Sequence, residues 1–296
     1  MSNERLSAKI LGAGQAEAIT FLPGFTGSHR MWNPDFHALS TGYTLIFLDL
    51  LGFGESPKPD IDYTLDDHLD AIKTTLESLD IRTTHVVGHS MGCSLALAYA
   101  HRFPDRVMKM ALLALPYYRS EQEARTLIQQ SSLFNRLLAL DTPLARVVCA
   151  IMCYLRPLLI PIAPMIAHDV PDVVAQDALK HTWHSYSRTL QNVVFRARTL
   201  EWLRTGAHPI SIIQGIHDRI APIENVEEAI DQLPNVQLIR LDAGHRLVFT
   251  QSAVITTAIA EFLEAADVIS RDELQPQARS VPAPASPPTI ETKDEQ

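Results

Sequence analysis

A serine stands between two glycines in Gly88-His89-Ser90-Met91-Gly92, and its surroundings suit a nucleophile. His85–Val87 reads as a buried strand, and Ser90–Arg102 reads as a small apolar helix halted at Phe103-Pro104. A side chain on a sharp strand-to-helix turn sits in a strained backbone. Glycine at 88 and 92 removes the neighbours that would collide there. The helix that opens at Ser90 aims N–H groups at a reacting centre where negative charge develops. A serine hydroxyl is a weak nucleophile at neutral pH and needs a base within hydrogen-bond reach. Histidine suits that task because it titrates near neutrality. His245, in Ala243-Gly244-His245, is the candidate base. Asp218, in Gln214-Gly215-Ile216-His217-Asp218, is the candidate acid that fixes its tautomer and steadies the imidazolium. The bland alternatives are a turn residue for Asp218 and an ordinary loop histidine for His245.

Elements must bring these three together across a long separation. Ala18–Leu22, Leu45–Leu48, His85–Val87, Met108–Leu115, Ile210–Gln214 and Val236–Leu241 read as strands, several almost continuously apolar. Such runs fit strands buried on both faces of a mostly parallel sheet. Leu65–Leu79, Ser90–Arg102, Val226–Gln232 and Ser252–Ala266 read as helices between them. Alternating strands and helices make an α/β domain. In a parallel sheet the strand ends preceding Ser90, Asp218 and His245 lie along one edge. From about Tyr117 to Arg204 the alternation stops, and the pattern is helical with prolines as punctuation. The expected organisation is a core of residues 1–116 and 206–269, a helical cap inserted at 117–205, and a disordered proline-rich tail at 270–296.

The motifs together resemble the α/β-hydrolase family, and the likeness covers nearly everything except the tail. Leu22-Pro23-Gly24-Phe25 stands where that family places its oxyanion loop. Asp49-Leu50-Leu51-Gly52-Phe53-Gly54-Glu55-Ser56 resembles its D-x-x-G-x-G-x-S turn. The segments around Asp218 and His245 resemble its acid and histidine loops, in the order Ser, Asp, His. The resemblance implies an α/β-hydrolase fold with a mostly parallel central sheet, helices on both faces and an inserted helical cap. It also implies an oxyanion hole from the N–H groups of Phe25 and Met91. Pro23 departs from the family's commoner histidine, which leaves the support of that loop open. Thr26, Ser28 and His29 are candidates for polar contacts to a substrate.

The expected activity is cleavage of a small or medium hydrophobic carboxylic ester through an acyl-enzyme on Ser90. Leu, Ile, Val and Met, with Phe134, Tyr154 and Trp183, make the inserted segment apolar enough to roof a pocket. By resemblance, the Ser-Met-Gly elbow and the cap also admit a carbon–carbon hydrolase of ring-fission diketones, so the substrate is a small hydrophobic ester or ketone. A slow-turnover ligand-binding receptor stays open as a reading from another class. Relatives with an aspartate nucleophile are disfavoured by Ser90.

Composition narrows the field further. With 296 residues, a formal net charge of −9 and 25 Lys and Arg against 34 Asp and Glu, a nucleic-acid partner is not expected. Cys93, Cys149 and Cys153 show no disulfide spacing, so a reducing, cytoplasmic setting is expected. Cys149 and Cys153 share a helix face and read as buried small hydrophobes. No cofactor and no metal are expected, since no His/Cys cluster or acidic loop has ligand spacing; Asp49 and Glu55 do not make one. Oligomeric state is open. Met1–Ile10 shows no secretory pattern. The apolar stretch Val147–Met165 is interrupted by Arg156, Pro157, Pro161 and Pro164, so no transmembrane segment is expected. Its helices are expected to pack over the core, with lipid or acyl-chain contact as the alternative. His89 is expected to point away from the nucleophile, and His217 to face solvent. His181 and His184 either line the cap's inner face or sit on an amphipathic helix.

Overall fold

A computed structural model describes residues 4–131, 142–167 and 170–265. The tail, Phe134 and the end of the second core segment therefore lie outside the described residues. Seven strands form one sheet in the order β1-β3-β2-β4-β5-β6-β7. They are β1 (Ala8–Leu11), β2 (Glu17–Leu22), β3 (Tyr43–Leu48), β4 (Thr84–His89), β5 (Val107–Leu113), β6 (Ile210–Gly215) and β7 (Val236–Leu241). β1 runs antiparallel to β3, and every other pair is parallel. The six expected strands are all present. β1 was not legible: its four residues, Ala-Lys-Ile-Leu, sit on an exposed edge and bury no full face.

The apolar runs are explained by burial on both sides. Successive strand residues face opposite ways, so Val86, Leu112 and Ile212 enter one core while Val87, Leu113 and Ile213 enter the other. α1 (Leu65–Ser78) and α2 (Met91–Arg102) cover the first face. α1 begins at a capping box, in which Thr64 and Asp67 satisfy each other's backbone N–H groups, and it turns Leu69, Ile72 and Leu76 inward. A 3₁₀ turn at Pro34–Thr41 and the C-terminal helix Ser252–Glu264 cover the second face.

Between β5 and β6 the described chain is helical: α3 (Glu121–Ser131), α4 (Pro143–Tyr154), α5 (Arg156–Leu159), α6 (Ala163–Ile166), α7 (Asp172–Asp177), α8 (Trp183–Thr189) and α9 (Thr199–Thr205). These helices are tied to the sheet domain by polar side chains. Asp177 on α7 accepts from Ser28 Oγ at 2.6 Å and from Arg30 Nε at 2.7 Å. Buried His68 on α1 meets Thr189 at 3.2 Å, and Asn192 donates to the carbonyl of Asp62 at 2.7 Å. Among the described residues no single helix is long and apolar enough to cross a membrane.

Candidate active site

Ser90 follows the carboxyl end of β4 with φ 51° and ψ −120°, a left-handed strained turn. Its N–H donates to the Leu113 carbonyl at 2.9 Å, which ties the elbow to the neighbouring strand. The glycines are sterically required. A Cβ on Gly88 would lie 2.6 Å from the carbonyl oxygen of Gly92, and one on Gly92 would lie 2.2 Å from that of Leu22. The turn thus closes only where strand and helix approach without side chains.

The sheet brings the three candidates together. His245 Nε2 lies 2.9 Å from Ser90 Oγ, and His245 Nδ1 lies 2.8 Å from Asp218 Oδ2. A carboxylate only accepts, so Nδ1 carries the proton and Nε2 is the acceptor for the serine O–H. Asp218 is buried, and its other oxygen accepts from the N–H groups of Ile220 at 2.9 Å and Ala221 at 2.8 Å. Those two amides hold the carboxylate in one orientation. Gln214, wholly buried at the end of β6, reinforces it. Its Oε1 accepts from the Leu115 N–H at 2.9 Å and its Nε2 donates to the Ala221 carbonyl at 2.6 Å. The sequence assigns Gln214 no role beyond its place in the strand and the acid-loop segment, although a polar residue closing an apolar strand just before the candidate acid is the available signal.

His89 does not point away. Its buried ring lies 5.3 Å from the ring of His245, and its Nε2–H donates to the His245 carbonyl at 3.0 Å. The expectation failed because the φ 51° turn begins after residue 89, so His89 still follows the strand's alternation and enters the core between two loops. Burial, with help from the neighbouring His245, pushes its pKa down to about 3, so it stays neutral. A Cβ on Gly24 would lie 2.9 Å from His89 Nδ1 and 3.3 Å from Ser90 Cβ. His89 therefore touches both the His245 loop and the Gly24–Phe25 loop.

The Gly24–Phe25 loop follows the carboxyl end of β2. It folds back through the Gly27 N–H to Gly24 carbonyl bond of 2.9 Å, with Thr26 at φ 60°. Among the described residues neither the Phe25 nor the Met91 N–H has an acceptor. Ser28 and His29, the candidates for polar contacts to a substrate, are both engaged by carboxylates. Ser28 Oγ binds Asp177, and His29 gives both its backbone N–H and Nδ1 to Asp49 Oδ1, at 2.5 and 2.9 Å. Asp49 is fully buried and also accepts from the Glu55 N–H at 2.7 Å. It is an acceptor that joins two loops. The Phe25 ring packs on Tyr186 of α8 at 4.8 Å and on Phe53 at 5.5 Å, so the helical segment sits against this loop.

Three further histidines singled out in the sequence, His217, His184 and His181, make contacts other than with Ser90, Asp218 or His245. His217 is exposed and pairs with Asp242 at 2.9 Å; His184 is exposed and pairs with Asp60 at 3.0 Å. His181 is buried against Tyr186, and burial lowers its pKa to about 4. Of the expected roof aromatics, Trp183 stacks on Tyr186, but Tyr154 is 85 % exposed. Cys93 and Cys149 are buried and Cys153 half-buried. Among the described residues no group of three or more His, Cys, Asp or Glu could hold a metal ion.

Comparison with known proteins follows the same lines. The chain is 34 % identical over 228 residues to a probable lysophospholipase, BODYGUARD 4 of Arabidopsis thaliana, covering 70 % of this chain and 54 % of that protein. It spans about half the length of the first plant relatives it matches. Among solved structures, the enol-lactonase of Burkholderia xenovorans LB400 superposes with a TM-score of 0.68 at 20 % identity, over 89 % of this chain and 98 % of that one. The meta-cleavage product hydrolase of Pseudomonas fluorescens IP01 superposes with a TM-score of 0.64 at 22 % identity, over 87 % and 93 %. Residues 17–252 match the profile of the alpha/beta hydrolase fold, and the chain belongs to that family.

Proposed function

We propose that the chain is a serine hydrolase of hydrophobic carboxylic esters that works through an acyl-enzyme on Ser90. The observation that carries this reading is the unbroken line of hydrogen bonds from Ser90 Oγ through His245 to a carboxylate held by two backbone amides. His245 Nε2 takes the serine proton as Oγ bonds to the substrate carbonyl carbon. The resulting oxyanion is met by the N–H groups of Phe25 and Met91, donors of a kind worth roughly 3–4 kcal/mol each. Collapse breaks the ester C–O bond, and His245 returns the proton to the departing alkoxide. A water then gives its proton to His245 and attacks the acyl carbon; the bond from that carbon to Ser90 Oγ breaks, His245 returns the proton to Oγ, and the acid leaves. Asp218 steadies the imidazolium without taking the proton itself.

Residues 117–205 act as a cap in this reading, placed over the core of 1–116 and 206–269, with Tyr186 against Phe25 as its point of contact with the oxyanion loop. The ester preference draws support from the plant relative's name, since a lysophospholipase acts on a carboxylic ester. The solved neighbours share the fold alone, and one is a meta-cleavage product hydrolase. The test has two parts. Incubation with a fluorophosphonate should lose fluoride and add one phosphonyl group to the peptide carrying Ser90, with no adduct on Ser90→Ala. The kcat/KM on p-nitrophenyl butyrate should exceed that on a ring-fission dienol. The opposite ranking assigns carbon–carbon cleavage, and a folded protein that takes no label and turns over neither substrate leaves only ligand binding.

A further inference from the structure

The helical segment carries a surface that the triad and its supports do not use. α4 turns Ala145 and Cys149 inward, onto a cluster with Tyr186, Leu190 and Phe195 that reaches Phe25. Its other side presents Leu144, Val147, Ile151 and Tyr154 to solvent, one helical stripe. After a bend of 73° the chain continues with Leu158 at 70 % and Met165 at 80 % exposure. Nine of the thirteen exposed large hydrophobic residues of the described chain lie between Leu144 and Ile166. Scattered exposed apolar side chains are ordinary, but a concentration of this kind marks a surface meant to be covered.

We propose that this face docks on the surface of an anionic lipid bilayer. Charge and polarity choose the occupant. From Pro143 to Ile166 the chain has no Asp, Glu, Asn, Gln, Ser or Thr, and its charged residues are Arg146 and Arg156 alone. A protein partner is normally met with about one hydrogen bond per 100–200 Å², and this stretch offers few side-chain groups to make them. A protein of net charge −9 has here a long segment free of acids, with Arg146 exposed and Arg156 donating inward to the His181 carbonyl, and a local positive charge is what anionic headgroups attract. Geometry separates lying on a membrane from crossing it. α4 has 12 residues, against about 20 for a span. The bend and Pro157, Pro161 and Pro164 prevent a continuous helix. An apolar stripe with an aromatic at its end and an exposed arginine, Arg146, beside it belongs in the interfacial plane. Because the opposite side of α4 joins the cluster that reaches Phe25, the docked surface stands one helix away from the oxyanion loop.

The test is co-sedimentation of the full chain with vesicles of phosphatidylcholine mixed with phosphatidylglycerol, and with phosphatidylcholine alone. Wild type should pellet with the mixed vesicles and bind phosphatidylcholine less. The triple substitution Ile151→Glu, Leu158→Glu, Met165→Glu should weaken binding by about tenfold or more, since it replaces three of the nine exposed apolar side chains of this face with carboxylates that anionic headgroups repel. The same variant should keep the wild-type melting temperature and its turnover of monomeric p-nitrophenyl butyrate. Wild type left in the supernatant, or a variant that binds equally well, overturns the proposal. A size-exclusion dimer that these substitutions dissociate, without vesicle binding, also overturns it and gives the face to a second copy. The readout is binding, so its failure leaves the triad reading untouched, and an inert triad leaves the docking result untouched.

Discussion

Replacing Asp218 by asparagine is a small change whose effect the surrounding amides determine. Asp218 Oδ1 accepts from Ile220 and Ala221 at 2.9 and 2.8 Å, while Oδ2 accepts from His245 Nδ1 at 2.8 Å. Asparagine has one oxygen to accept and one nitrogen to donate. With its oxygen at the Oδ1 position it keeps both backbone bonds and turns its NH₂ toward His245. The reverse orientation leaves two backbone N–H groups facing an NH₂, at about 1–3 kcal/mol each. The first orientation therefore prevails. His245 Nδ1 must then accept, so its proton moves to Nε2, the nitrogen 2.9 Å from Ser90 Oγ. A protonated Nε2 cannot take the serine proton. The expected fall in kcat is about ten-thousand-fold, roughly 5 kcal/mol of barrier. Stability should change little, because both backbone bonds survive and only the long 3.5 Å contact from Gln214 Nε2 to Oδ2 is lost. Steady-state hydrolysis of p-nitrophenyl butyrate and urea unfolding of the same preparations measure both. A variant retaining more than about a tenth of the wild-type kcat would falsify the tautomer argument.

Other perturbations probe the supports of the site. Gly92→Ala puts a Cβ 2.2 Å from the Leu22 carbonyl and 2.8 Å from that of Pro23, so the strand end feeding the oxyanion loop must move. We expect a loss of about 1–3 kcal/mol in urea unfolding together with a loss of kcat, and unchanged values for both would remove the steric account of the elbow. Asp177 is 2 % exposed and Arg30 38 %, so a double-mutant cycle with alanine at each should show a coupling of about 1–2 kcal/mol, reduced by solvent at the arginine. Additive effects would deny that this ion pair ties α7 to the turn that follows the Gly24–Phe25 loop. Burial lowers the pKa of His68 to about 4, from an ordinary value near 6.5. Between those values the unfolded chain binds a proton that the folded one refuses, so stability rises with pH across the window and is fully present above it. One such group contributes a slope of roughly 1 kcal/mol per pH unit, which His68→Gln should remove from a series of urea titrations.

The sheet was legible because apolar runs of strand length carry their own signal, and burial on both faces of the central strands keeps polar residues few there. β1 lacked that signal, being short and exposed. Ser90, Asp218 and His245 could be picked out because each lies beside the end of a readable strand and glycine marks the turns around them. Their supports could not. Asp177 meets Arg30 across 147 residues, through a helix whose docking no local pattern encodes. Asp49 looked like part of a turn motif, and only the folded chain shows it gathering His29 and Glu55. The inserted helices were recognisable as helices, but which of their faces turns outward was not. Tyr154 was expected in a roof and stands in solvent, because the small inward residues Ala145 and Cys149 set the rotation of α4.

Pre-steady-state hydrolysis of p-nitrophenyl acetate, butyrate and octanoate by wild type and by Ser90→Ala tests the central claim most directly. The account predicts a burst of p-nitrophenol that approaches one equivalent per chain, followed by slower turnover, and neither phase in a folded Ser90→Ala. Equal turnover by the two proteins, or no burst and no turnover in a folded wild type with any of the three esters, would contradict an acyl-enzyme on Ser90.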